Sequence, residues 1–260
     1  MTPELKDAIQ KSGNNLHLKV VEYLQNANWT VDISAYYLDD TTNKPREIDI
    51  IAQKKIYLKN INSSHPQDFS VLLFIECKHL SGEIVFWTQD RSNELIFKRK
   101  GLAKFSGNIK EENISSGHHY FLPPSVGKLY TTVGKDEVFD GITQPVKALT
   151  SFMDYERSSG LYYPICIYEG TPELHLIKSG ADIKNLDKLE TVKNLIVELN
   201  YSWRKMAGQP TKEYFAIDLT HIDELAKLID IIDREAENTR SSICNFLNSL
   251  ESKKHFPESY

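Results

Sequence analysis

Three ionisable residues carry the chemistry this chain could do. Asp49 lies in Arg46-Glu47-Ile48-Asp49-Ile50-Ile51, and Glu76 and Lys78 lie in Phe74-Ile75-Glu76-Cys77-Lys78. Strand side chains alternate faces, so Glu76 and Lys78 point the same way, together with Leu72 and Phe74. An isolated charge in an apolar strand is costly, so such residues call for a reason. A divalent cation supplies one, because two carboxylates bind a hard ion through oxygen and leave positions open for water and a substrate phosphate. A lysine beside them can stabilise charge developing on phosphorus or help the attacking water lose its proton. The competing reading is a buried structural ion-pair network, since acids and lysines are common and the pattern is weak by itself.

These residues need elements to position them. Leu5, Ile9, Leu16, Val20, Leu24 and Ala27 recur at helical spacing over residues 4–27, with an interruption at Gly13-Asn14-Asn15. Trp29 to Tyr37 alternates as a strand, a turn-forming run 39–45 follows, and a second strand covers Arg46 to Ala52. Residues 71–78 form an apolar run of the kind expected for a central strand covered on both faces. Within 79–144, Ile84–Trp87 and Leu95–Phe97 read as short strands. A helix is expected from about Pro145 to Arg157, strands at 162–168 and 173–177, and helical periodicity over 185–206 and 221–250. The order points to a mixed α/β fold.

The wording of the two motifs, with Asp49 on a second strand and Glu76-Cys77-Lys78 on a third, resembles the PD-(D/E)xK, or restriction-endonuclease-like, nucleases. It is most similar to their Mrr-like and Holliday-junction-resolvase-like branch. The resemblance implies an α/β fold with a restriction-endonuclease-like core (helix, three-strand meander, helix, strand). On this chain that core would span residues 1–180 with an insertion at about 79–144, followed by a mostly helical extension, 181–260. It implies Mg²⁺ or Mn²⁺ as cofactor, held by Asp49, Glu76 and the Cys77 backbone carbonyl. A Gln-x-x-Lys on the following helix often helps position catalytic groups in that branch, and Gln144 and Lys147 match it. The branch usually carries a glutamate on its first helix. Here His17 stands where it is expected, and Glu22, nearly half-way round the helix, is the optional outer ligand. Roughly 65 residues separate Lys78 from Gln144, more than such a core needs.

Other features carry weaker signals. Lys98, Arg99, Lys100 and Lys104 form a basic cluster that could contact phosphate, as could Lys147, although a charge run is more often a solvated face. His118-His119 could suggest a metal pair, but neighbours in sequence do not face one another on regular structure, so they read as loop residues. The Cys77 side chain points away from Glu76 and Lys78 and is expected in the core.

Composition limits the partners. The 260-residue chain has a formal net charge of -5, so any nucleic-acid surface must be local. Three widely spaced cysteines without a CxxC pair argue against a zinc site of the usual spacing and against a disulfide framework. No stretch is apolar enough for a signal peptide or membrane helix, which points to a cytoplasmic protein without membrane contact. The expected activity is metal-dependent endonuclease action on DNA, in restriction or defence, with a homodimer or a partner recognition subunit for two-strand cutting. The alternative is a non-catalytic module that grips nucleic acid or a protein.

Overall fold

A computed structural model describes residues 1–6, 14–58, 68–91, 100–107, 109–132, 137–155, 159–171, 173–185, 189–204 and 210–254. The elements begin with α1 (Asn14–Asn26), β1 (Thr30–Asp39), β2 (Lys44–Tyr57), β3 (Asp68–Leu80) and β4 (Ile84–Asp90). Next come β5 (Lys104–Ser106), β6 (Ser125–Thr132), α2 (Val138–Tyr155), β7 (Gly160–Gly170) and β8 (Leu174–Lys178). The chain continues through β9 (Glu190–Val192), β10 (Asn194–Arg204), β11 (Pro210–His221) and α3 (Leu225–Lys254).

Local chemistry sets the first elements. α1 ends in a left-handed residue, Asn28 (φ 63°), with Trp29 N–H donating to Leu24 O and Asn28 N–H to Gln25 O. This is the paired closure that satisfies the last carbonyls of a helix. The β1–β2 hairpin turns at 40–43, where Asp39 Oδ1 accepts from the N–H groups of Thr41 (2.9 Å) and Thr42 (3.2 Å). β3 is buried along nearly its whole length. Val71, Leu73, Ile75 and Cys77 pack towards α1 and α3, and Leu72 and Phe74 towards α2. The sheet therefore lies between helices on both faces.

The strand order is β1-β2-β3-β7-β11-β10-β6-β4-β8-β9, with β5 pairing β7. β1, β2 and β3 are antiparallel neighbours, whereas β7 runs parallel to both β3 and β11. This corrects the expected fold. The described residues form a large mixed eleven-stranded sheet with helices on its faces, not a small restriction-endonuclease-like core carrying a helical C-terminal region. Residues 190–192, 194–204 and 210–221 are strands, and β11 sits in the middle of the sheet. The misreading has a cause. Leu195, Leu199 and Trp203 are four apart, a spacing that suits both a helix and one face of a strand. The stretch 79–144 likewise supplies β4 and β6 to the far half of the sheet, so it belongs to the architecture. α2 begins at Val138 and contains Pro145, where a helix start was expected. The expected strand at 95–97 lies outside the described residues. Among the described residues no helix is long and apolar enough to cross a membrane.

Candidate functional site

Asp49 sits where two ladders fail. The β2–β3 register ends at Ile50↔Ile75, one position short of Asp49. On the other side, the β1–β2 register passes from Ile33↔Ile50 to Ala35↔Ile48 and omits Asp49 opposite Ser34. Ser34 has φ 56°, a left-handed backbone that costs energy in a residue with a Cβ. β2 and β3 thus part at Asp49, and β3 continues against β7 as far as Leu80↔Gly170. Asp49 Oδ2 accepts the freed Cys77 N–H at 2.7 Å. Its other oxygen takes no hydrogen bond among the described residues.

Glu76 and Lys78 project from β3 on the α2 side. Lys78 Nζ donates to Glu76 Oε1 at 2.6 Å. With its amide nitrogen turned towards Glu76, Gln144 of α2 donates to both carboxylate oxygens, Oε2 at 2.9 Å. Gly141, one turn earlier, is what lets α2 come so close. A Cβ there would meet Cys166 Sγ at 2.8 Å and Lys78 Cγ at 3.1 Å. Glu76 is only 4% exposed. Burial, then the nearby Asp49 carboxylate, push its pKa up to about 7, against the opposing pull of Lys78. Burial works against the Lys78 ammonium, but the charge and hydrogen bond of Glu76 outweigh it and hold the lysine above its usual value.

The structure therefore brings Asp49, Glu76, Cys77, Lys78 and Gln144 together. The two carboxylates fit a divalent cation: they converge in a poorly hydrated notch, and their mutual repulsion is what a cation there would relieve. The other sequence candidates go elsewhere. Glu22 is exposed on α1, on the opposite face of the sheet from Gln144, and no described contact joins it to Asp49 or Glu76. His17 lies on the same helix, and its Nε2 is buried without a hydrogen bond among the described residues. Lys147 Nζ reaches Asp39 Oδ2 at 3.4 Å, tying α2 to the β1–β2 turn. Lys104 is buried, 3.1 Å from Glu213 Oε2 and 4.2 Å above the Phe215 ring, so its ammonium faces the protein interior. Lys98 and Arg99 lie outside the described residues. Lys100 opens a short 3₁₀ turn, 100–102. A surface concavity of about 430 Å³ between β6, β10 and Phe139 and Ile142 of α2 does not include Asp49, Glu76 or Lys78.

A second polar cluster was not found from sequence. His118 and His119 stack their rings, with centroids 5.0 Å apart and planes 15° apart, because the chain turns there. Both face Glu235 of α3, and His119 also faces Asp218 of β11. Burial lowers His118 to about 4, whereas the carboxylates of Asp218 and Glu235 overcome burial and raise His119 to about 10. Burial would raise Glu235, but His119 and His118 hold it below its usual value. Nothing in the sequence couples positions 119 and 235, which are 116 residues apart.

Comparison with protein-family models, with curated proteins and with solved structures finds no match.

Proposed function

We propose that this chain is a divalent-metal-dependent phosphodiester hydrolase acting on DNA, with its reaction centre at Asp49, Glu76 and Lys78. The observation that carries the reading is the notch itself. Two carboxylates and a lysine meet where β2 leaves β3, and the helix on that side supplies Gln144 to Glu76. Asp49 and Glu76 would hold Mg²⁺ or Mn²⁺, with the Cys77 carbonyl as a third oxygen. A bound ion supplies Lewis-acid charge to a phosphate.

The residues themselves do the rest. Gln144, by donating to both oxygens of Glu76, fixes the carboxylate and competes with its protonation. Asp49 locks its carboxylate on the Cys77 N–H, so its position is set before any ligand arrives. Lys78, held by Glu76, carries a positive charge in a partly buried setting where it acts strongly on a phosphate oxygen or on the attacking water. The wording of the two motifs, similar to that of the PD-(D/E)xK nucleases, supports DNA as substrate and a role in restriction or defence.

One observation favours the non-catalytic alternative: Glu76 is already satisfied by Lys78 and Gln144, as in a structural polar network. The two readings part on one experiment. The purified protein is incubated with supercoiled plasmid and with single-stranded DNA in Mg²⁺, Mn²⁺ or EDTA, beside Glu76→Ala. Metal-dependent nicking that vanishes in the variant is the expected result. Binding without cleavage in every metal would favour the network.

A further inference from the structure

We infer that His118, His119 and Glu235 form a buried site for a borderline-soft divalent ion of the Zn²⁺ type, separate from the Asp49–Glu76 notch. The nitrogen and carboxylate donors of these three residues lie within 4.8 Å of one another. His118 Nε2 is 3.3 Å from Glu235 Oε2, and His119 Nδ1 is 2.9 Å from Glu235 Oε1. A tetrahedral zinc with bonds of about 2.0–2.1 Å spaces its donors roughly 3.3 Å apart, so small movements accommodate it. Two imidazoles with a carboxylate suit zinc, whereas the all-oxygen notch suits magnesium.

The surroundings match what metal-binding histidines require. His119 presents its other nitrogen, Nε2, to Asp218 Oδ2 at 3.2 Å, which keeps a proton on Nε2 while loading releases the Nδ1 proton to solvent and frees that nitrogen to ligate. Tyr120 OH donates to the same Asp218 oxygen at 2.9 Å, and Tyr163 OH donates to Glu235 Oε2 at 3.0 Å. Without an ion, His118 Nδ1 accepts the Tyr120 N–H at 3.2 Å, so loading moves the His118 proton from Nε2 to Nδ1 and gives up that contact. Two carboxylates in a core position are electrostatically expensive, and a divalent ion balances both. His118 and Glu235 are 4% and 7% exposed, too enclosed to admit a polymer substrate. The ion is therefore structural. It joins the 118–121 turn to α3 and, through Asp218 and Tyr163, to β11 and β7.

The test loads EDTA-treated full-length protein with Zn²⁺, removes excess, and measures bound zinc per chain by elemental mass spectrometry, with a parallel Co²⁺ absorption spectrum. Wild type, Glu76→Gln, His118→Phe and Glu235→Gln are compared. Phenylalanine keeps the ring beside His119 and Tyr163, and glutamine keeps a carbonyl for its donors, so neither relies on unfolding for its effect. One zinc per chain in wild type and in Glu76→Gln, a tetrahedral Co²⁺ spectrum, and loss of both in His118→Phe and Glu235→Gln are expected. Absence of zinc and cobalt from folded wild type would overturn the site and leave a cluster held by protons. Zinc that survives both histidine-site variants, or that disappears in Glu76→Gln, would overturn it equally, the latter assigning the ion to the notch.

Discussion

The backbone N–H of Cys77 donates to Asp49 Oδ2 at 2.7 Å, at the one place where β2 and β3 cease to pair. Asp49 thereby replaces a missing rung of the sheet with its own side chain. Its structural and chemical duties can be separated. Asp49→Asn keeps an oxygen for Cys77 and should remain folded, yet lose the rise in melting temperature expected of wild type in Mg²⁺ or Mn²⁺. Asp49→Leu leaves the N–H unpaired and should cost a further ~1–3 kcal/mol in denaturant unfolding. An undiminished metal response in Asp49→Asn would remove this residue from the cation site.

Lys78→Met tests the charge without emptying the space. Cleavage of plasmid should fall at least ~100-fold, in the range seen when one transition-state contact is lost. Folding should survive, because Glu76, already pushed up to about 7, can take up a proton once its partner is gone. Wild-type turnover by a folded Lys78→Met protein would rule the lysine out of the reaction.

Glu76 also makes a pH prediction with a definite sign. Its pKa in the folded protein, about 7, lies above the ordinary 4.5. Between those values the folded state binds more protons than the unfolded one, so this group's contribution to stability falls as pH rises. Relative to Glu76→Gln, wild type should lose on the order of 3 kcal/mol across that window in the absence of metal. Saturating Mg²⁺ should flatten the difference, because the ion favours the ionised carboxylate. Urea melts at a series of pH values read it out, and a flat difference curve without metal would contradict the burial argument.

Gly141→Ala places a methyl where Cys166 Sγ stands 2.8 Å and Lys78 Cγ 3.1 Å away. Overpacking of this kind costs about 1–3 kcal/mol, against a gain in helix propensity of up to about 1 kcal/mol. The net effect should be a mild loss of stability and a larger loss of cleavage, as α2 moves Gln144 off Glu76. Adding Cys166→Ala, which clears the nearer obstacle, should restore part of both. No recovery in the double variant would mean that the helix approach is not limited at this contact.

How much of this was legible in the sequence varies by residue. The apolar run of β3 is buried on both faces, and its alternation put Glu76 and Lys78 on one side and Cys77 on the other. The turn formers at 39–45 do close a hairpin. Gln144 was implied as a positioning residue only by the resemblance, and it does meet Glu76, although the helix carrying it starts seven residues before the expected position because Pro145 stands inside it. The far half of the sheet was legible only in part: the strands expected at 84–87 and 173–177 are β4 and β8, but their partners were not foreseen. β10 carries buried residues at a spacing that fits two periods, and β4 and β6 contribute to a sheet whose other members lie tens of residues away. Lys104 looked like part of a solvated charge run, yet the ring of Phe215 and the carboxylate of Glu213 hold it inside. Long-range pairs of that kind leave no local trace.

The position of β11 governs the order in which the molecule can be assembled. It is the last strand of the sheet in sequence, but it lies between β7 and β10, and so joins the block β1-β2-β3-β7 to the block β10-β6-β4-β8-β9. Until residues 210–221 arrive, β10 exposes the edge that β11 will take, and β7 exposes 165–168, the stretch that β5 does not cover, and such an edge is prone to self-association. Closing the sheet then brings together segments distant in sequence, which makes folding slow. A chain emerging from the ribosome would carry every residue of its proposed reaction centre, Asp49 to Gln144, beside an open edge until residues 210–221 complete the seam.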